Sequence, residues 1–139
     1  MISRVLVPMD DSEIAERALR YALEVHSDAK ITVLHVVGEP SPMMGKAASI
    51  ALADDTSNAV QESAGDVFSR AETLAADYDA EIETTVAVGN PARQIIARAE
   101  HYDAIVLVSH SGGLVDRLVV GDVAKAVSGR VAIPVTIVR

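Results

Sequence analysis

The sequence contains no cysteine and no tryptophan, and only one phenylalanine. Disulfide staples, thiolate nucleophiles and cysteine-ligated metals are therefore excluded, and a reducing compartment fits best. Long apolar runs are missing too. The densest, Ile31 to Val37 and Ala104 to Val108, fall far short of the roughly 18 residues that signal a membrane span. No secretory leader precedes the first apolar run at Ile2, so a cytoplasmic chain with no membrane contact is expected. Positive charge is also scarce. Nine arginines and three lysines stand against 20 acidic residues, a formal net charge of −8. Without a concentrated basic patch, such a chain repels nucleic-acid phosphates. Acid-rich, lysine-poor composition fits two settings, a high-salt cytoplasm and an ordinary soluble protein.

What is abundant is aliphatic. Half of the 139 residues are apolar, the excess being Val, Ile, Leu and Ala. That is the composition of a sheet covered by helices on both faces. The length suits a single domain over residues 1–139 with a core of its own.

Apolar β-rich runs alternate with helical periodicity from end to end. Arg4 to Pro8 reads as a first strand. Ser12 is a natural N-cap for a helix to about His26, with Glu13 and Glu16 in its first turn. Lys30 to Val37 reads as a second strand. Gly38 to Asp55 is the least regular segment, an excursion in which Met43-Met44 could cover something apolar. A second helix is expected from Ser57 to Tyr78, with Val60, Ala64, Val67, Ala71 and Leu74 on one face. Glu81 to Val88 gives a third strand, and Pro91 opens a short helix to Glu100. Asp103 to Ser109 is a fourth strand. A glycine-containing loop follows, then a helix from Gly121 to Ser128, with Gly129 just past its end. Pro134 to Val138 is a fifth strand.

This alternation specifies an α/β fold with a parallel sheet, because each right-handed crossover returns the chain beside a parallel neighbour. Ligands of such sheets sit beyond the carboxyl ends of the strands, where strand order reverses. Three segments then matter: Met9 to Ser12, Val36 to Gly38, and Ser109 to Asp122.

Those segments resemble the universal stress protein family, and the resemblance covers nearly the whole chain. VLVPMDDSEIAERALRYALE looks like the family's first strand and helix, and KITVLHVV like its second strand. VGNPARQIIARAEHYDAIVLV leads into the fourth strand, and VSHSGGLVDRLVVGDVAKAV followed by IPVTIVR matches the loop, last helix and final strand. The resemblance implies a three-layer, adenine nucleotide alpha-hydrolase-like sandwich, its five-stranded parallel sheet in the order 3-2-1-4-5. It also implies homodimers paired through the last strand.

Nucleotide-binding members of the family carry Gly-x2-Gly-x9-Gly-Ser/Thr after the fourth strand. Glycines there let backbone amides approach phosphates, and the last helix aims its N-terminus at the anion. The corresponding positions are Val108, Ser111, Gly121 and Asp122, so only Gly121 is kept. Gly112 and Gly113 keep the loop pliable but fall one and two places late. The adenosine side is better kept, with Pro8, Asp10 and the backbone of Val36 in matching places and Asp11 where a glycine is usual.

Each candidate has a functional and a structural reading. Asp10 could hold ribose hydroxyls or close the strand-to-helix connection as an Asx turn. Asp122, as N-cap of the last helix, would accept the amide hydrogens that a phosphate needs. Two like charges about 4 Å apart repel by roughly 4 kcal/mol at an effective dielectric near 20. A helix N-terminus returns only about 0.3–2 kcal/mol. Repulsion wins unless Mg²⁺ bridges the two. Ser109, His110 and Ser111 could donate to an oxyanion or form a solvated polar loop. Asp10, His35 and His110 fall along one sheet edge if strands two, one and four adjoin. No G-x-S-x-G elbow accompanies them for hydrolysis, and no recognised ligand spacing for zinc. His26 and His101 read as helix-end residues, and Arg117 and Lys125 as charges on a solvent face.

The expectation is a non-catalytic stress-response module that acts through dimerisation and unidentified protein partners. Its nucleotide site is degenerate: no catalytic residue, no metal ligand and no resident cofactor are expected. The alternative is an ATP- or AMP-binding module, with Mg²⁺, using an atypical phosphate loop.

Overall fold

The computed structural model describes residues 1–37, 53–109 and 122–139, with the backbone alone at 53–61 and 63. The apolar runs are strands: β1 Arg4–Pro8, β2 Lys30–Val37, β3 Ile82–Val88, β4 Ala104–Val108 and β5 Val135–Val138. Between them lie α1 Ala15–Val25, α2 Ala53–Asp77, α3 Pro91–Arg98 and α4 Asp122–Arg130. A single 3₁₀ turn, Ala99–His101, extends α3. All five strands are parallel, in the order β3-β2-β1-β4-β5.

Strand alternation divides the core in two. Val5 and Val7 of β1 and Val33 of β2 face α1 and α2, whose Ala15, Ala18, Leu19, Val67 and Ala71 are fully buried against them. Leu6, Leu34, Ile105 and Leu107 face the other way, onto Ile95 of α3 and Val127 of α4. Each buried Leu, Ile or Val contributes about 1.5–3 kcal/mol. β1 and β4 are covered on both faces, so they read in sequence as unbroken apolar runs.

Local chemistry sets the element ends. Asn90 caps α3, its side chain accepting from the Arg93 amide at 3.1 Å, and Pro91 fills the first helical position. Three expectations need correction. Ser12 does not cap α1: the helix starts at Ala15 with Ile14 at the cap position, because Asp10 has captured Ser12. Gly129 does not end the last helix, which runs through it to Arg130. The second helix is already formed at Ala53, four residues before Ser57. The Met43-Met44 expectation lies outside the described residues.

Candidate functional site

The sheet order reverses at β1. Its two neighbours, β2 and β4, are reached by crossovers on opposite faces, which leaves a crevice beyond its carboxyl end. A cavity of about 140 Å³ opens there. Four residues expected from sequence line it: Pro8 and Asp10 at the end of β1, Val36 of β2 and Val108 of β4. Leu34 and Leu107 form its floor, and Pro91, Ile95 and Val123 bring α3 and α4 to its wall.

Among the described residues the lining is mostly apolar, and Asp10 is its one ionisable residue. Apolar cavities of about 150 Å³ accept a single aromatic ring such as benzene, a volume close to this one. One carboxylate oxygen of Asp10 accepts from the Ser12 amide at 2.9 Å and also from the Ser12 hydroxyl. The Asx turn considered from sequence is therefore present. It carries the carboxylate to the cavity edge.

Val36 contributes through its backbone. Leu34 faces β1, since its carbonyl accepts from the Met9 amide at 2.8 Å. Val36, two residues on, turns its N–H and C=O to the same side, where β1 has already ended at Pro8. The opposite face of β2 there holds His35, which is 5% exposed. Its Nδ1 lies 2.9 Å from the Met9 carbonyl oxygen.

Val108 is buried at the end of β4, registers with Val138 of β5 and borders the cavity, while its side chain packs in the half of the core that faces α1 and α2; the family resemblance has glycine at this position. Ser109 is also buried. Its amide donates to the Val138 carbonyl at 3.0 Å, and it does not line the cavity. Asp122 is exposed and lies in the first turn of α4. The neighbouring Val123 places that first turn at the cavity. Ser111, Gly112 and Gly121 lie outside the described residues, as do His110, Gly113 and Arg117. Lys125 is exposed on α4, as a solvent-face charge should be.

The other histidines are used locally. The His26 backbone amide, not its ring, caps α1 by donating to Ala22 O, and His101 lies 3.6 Å from Glu100 at the end of the 3₁₀ turn. Among the described residues no group of three or more His, Asp or Glu side chains could hold a metal ion. Among them, too, no helix is long and apolar enough to cross a membrane.

Met9 falls in a segment expected to matter, but sequence reasoning missed Leu34, Leu107, Pro91, Ile95 and Val123. The signal for Pro91 was available. The connection after β3 emerges at the same carboxyl edge as those after β1 and β4, and its Gly-Asn-Pro run marks a tight entry into a helix.

Sheet order, crossovers and crevice together define an adenine nucleotide alpha-hydrolase-like fold. The family model for the universal stress protein family matches residues 1–139, and the chain belongs to that family. Universal stress protein YxiE of Bacillus subtilis is 27% identical over 148 residues, covering 100% of both chains. Among solved structures, that of hypothetical protein MJ0577 has a TM-score of 0.78 at 24% identity, covering 99% of this chain and 96% of that one. A universal stress protein in complex with cAMP has a TM-score of 0.72 at 22% identity, covering 99% of this chain and 97% of that one.

Proposed function

We propose that this chain is a non-catalytic, homodimeric regulatory module whose cavity takes the nucleoside end of an adenine nucleotide and grips the phosphates weakly. The observation that carries this reading is the cavity's asymmetry. One side offers an apolar slot of about 140 Å³ with Asp10 at its edge. The other is bordered by Val108 at the end of β4 and by the first turn of α4, which carries Asp122. A slot lined by carbon surface and a few polar groups is the usual form of a small-molecule site. The related fold solved with cAMP supports an adenine-containing ligand.

Asp10 then accepts from the ribose hydroxyls with the carboxylate that the Asx turn presents. On this reading the module signals by occupancy rather than by turnover. Signalling of this kind needs protein partners in the cytoplasm. Calorimetric titration of the wild type tests the reading: adenosine and AMP should bind at least as tightly as ATP without metal. ATP binding far tighter than adenosine contradicts it. A second reading rests on Asp122, which could share Mg²⁺ with the phosphates; in that case ATP tightens strongly when Mg²⁺ is added.

A further inference from the structure

The ladder between β1 and β2 breaks at one identifiable place. The Met9 amide donates to the Leu34 carbonyl at 2.8 Å. In an unbroken parallel ladder the next bond would run from the Val36 amide to the Met9 carbonyl. That carbonyl is instead 2.9 Å from His35 Nδ1. A carbonyl oxygen only accepts, so Nδ1 carries the proton and donates. His35 is 5% exposed. Its ring meets Phe68 edge-on, with centroids 6.5 Å apart and planes at 84°. Packing thus restrains the ring on the α2 side of the sheet, while Val36 on the cavity side lies beyond the last β1–β2 pair, Pro8 with Leu34.

We infer that His35 is a positioning residue for the base-binding end of the cavity: by taking the Met9 carbonyl it stops β1 and β2 from zipping past Leu34 and keeps the Val36 N–H and C=O turned to the cavity. The inference rests on the adenine nucleotide reading above. A donor and an acceptor side by side on one residue match a purine edge that presents one acceptor beside one donor, as adenine does at N1 and its 6-amino group. The same bond fixes the peptide between Met9 and Asp10, and with it the start of the Asx turn. A leucine at position 35 would fill similar space but leave the Met9 carbonyl free to pair with Val36.

Three measurements test this. Ring nitrogen NMR of the wild type near pH 8 should show the Nδ1–H tautomer, and the Nε2–H tautomer would overturn the inference. In His35→Leu the Val36 amide should exchange about tenfold or more slowly, as it joins the ladder. Adenosine should bind that variant roughly tenfold more weakly, the worth of about one hydrogen bond. His35→Asn carries an amide near the Nδ1 position and should keep Val36 exchange fast and recover most of the affinity. Lost affinity with unchanged Val36 exchange would reduce His35 to a packing residue and overturn the inference, as would unchanged values of both. Should His35→Leu fail to fold, the tautomer and the Asn variant decide. A wild type that binds no adenosine removes the nucleotide reading, while the tautomer and the Val36 exchange still confirm or refute His35's hold on the ladder.

Discussion

A single carboxylate oxygen of Asp10 accepts two hydrogen bonds from Ser12, one from its amide at 2.9 Å and one from its hydroxyl. That turn delays the start of α1 to Ala15 and sets the carboxylate at the cavity edge. Local structure and ligand binding therefore draw on the same side chain, and two substitutions separate them. Asp10→Asn keeps an accepting oxygen and should leave stability within about 0.5 kcal/mol. Asp10→Ala loses the turn and should cost about 0.5–2 kcal/mol, as a lost cap does. Both should weaken adenosine binding. Urea melts and titration of the two proteins check this, and an Asn variant that binds adenosine like the wild type contradicts the ribose role.

Much of the fold is legible in the sequence because β1 and β4 are covered on both faces. Their apolar runs have sharp ends, and the expected limits of β1, Arg4 and Pro8, are the observed ones. Four lining residues of the cavity, Pro8, Asp10, Val36 and Val108, are those implied by the family resemblance, and two of them, Asp10 and Val36, also fall in the segments beyond the carboxyl ends of strands. What escaped depends on side chains that bond the backbone across or along the chain. Ser12 has every attribute of an N-cap, yet the Asp10 carboxylate two residues earlier outcompetes the helix for it. His35 reads as a site candidate, but its Nδ1 is spent on the Met9 carbonyl 26 residues away in sequence, which no local pattern encodes. Gly129 looks like a stop signal, and the helix simply continues through it.

Asp103 ties β4 to β1 before either strand begins, its Oδ2 accepting from the Ser3 and Arg4 amides at 2.9 Å each. The Ser3 amide first, then that of Arg4, holds the carboxyl below its usual range. A depressed carboxyl stabilises the fold above the unfolded-state value of about 3.9 and loses that effect as pH falls through the lower folded value. Asp103→Ala should therefore be less stable than the wild type by a constant margin from pH 5 to pH 8. The margin should shrink as pH drops below about 4. Denaturant midpoints at pH 7 and pH 3 test this, and a margin that grows in acid contradicts it.

Gly89 turns the chain from β3 into α3 with φ +138°, and a Cβ there would lie 3.1 Å from Gln94 Nε2. Its amide also donates to the Val37 carbonyl at 2.8 Å. An L side chain rarely adopts that conformation, so Gly89→Ala should cost about 1–3 kcal/mol. Because Pro91 stands two residues on at the cavity wall, adenosine affinity should fall as well. A thermal melt unchanged from wild type contradicts the assignment of strain to this turn.

Among the described residues β5 is the outer strand beside β4, with no neighbour on its other side. Pro134 and Val138 turn their carbonyls to the β4 side, accepting from the Ile105 and Ser109 amides at 3.0 Å each. Alternation then points the backbone of Val135 and Ile137 outward. An exposed apolar edge of this kind invites pairing with a second copy about a twofold axis. Ile137→Pro removes only an outward donor and leaves the β4 ladder intact. It should yield folded monomers where the wild type forms dimers by light scattering at micromolar concentration. Wild-type monomers at that concentration contradict the proposed homodimer.

The central claim is that the nucleoside half of the cavity is intact while the phosphate half is obstructed. Val108 stands at the end of β4 beside the cavity, where the family resemblance has glycine, and Asp122 adds negative charge at the first turn of α4. Restoring Val108→Gly, Ser111→Gly and Asp122→Ser together acts on the phosphates alone. Calorimetric titration of wild type and triple variant with ATP and with adenosine, with and without Mg²⁺, measures the claim directly. The account predicts adenosine affinities within about threefold of each other, and ATP affinity at least about tenfold tighter in the variant, a gain of roughly 1.4 kcal/mol or more. Wild-type protein that binds ATP tightly without metal, and gains nothing from the three substitutions, contradicts it.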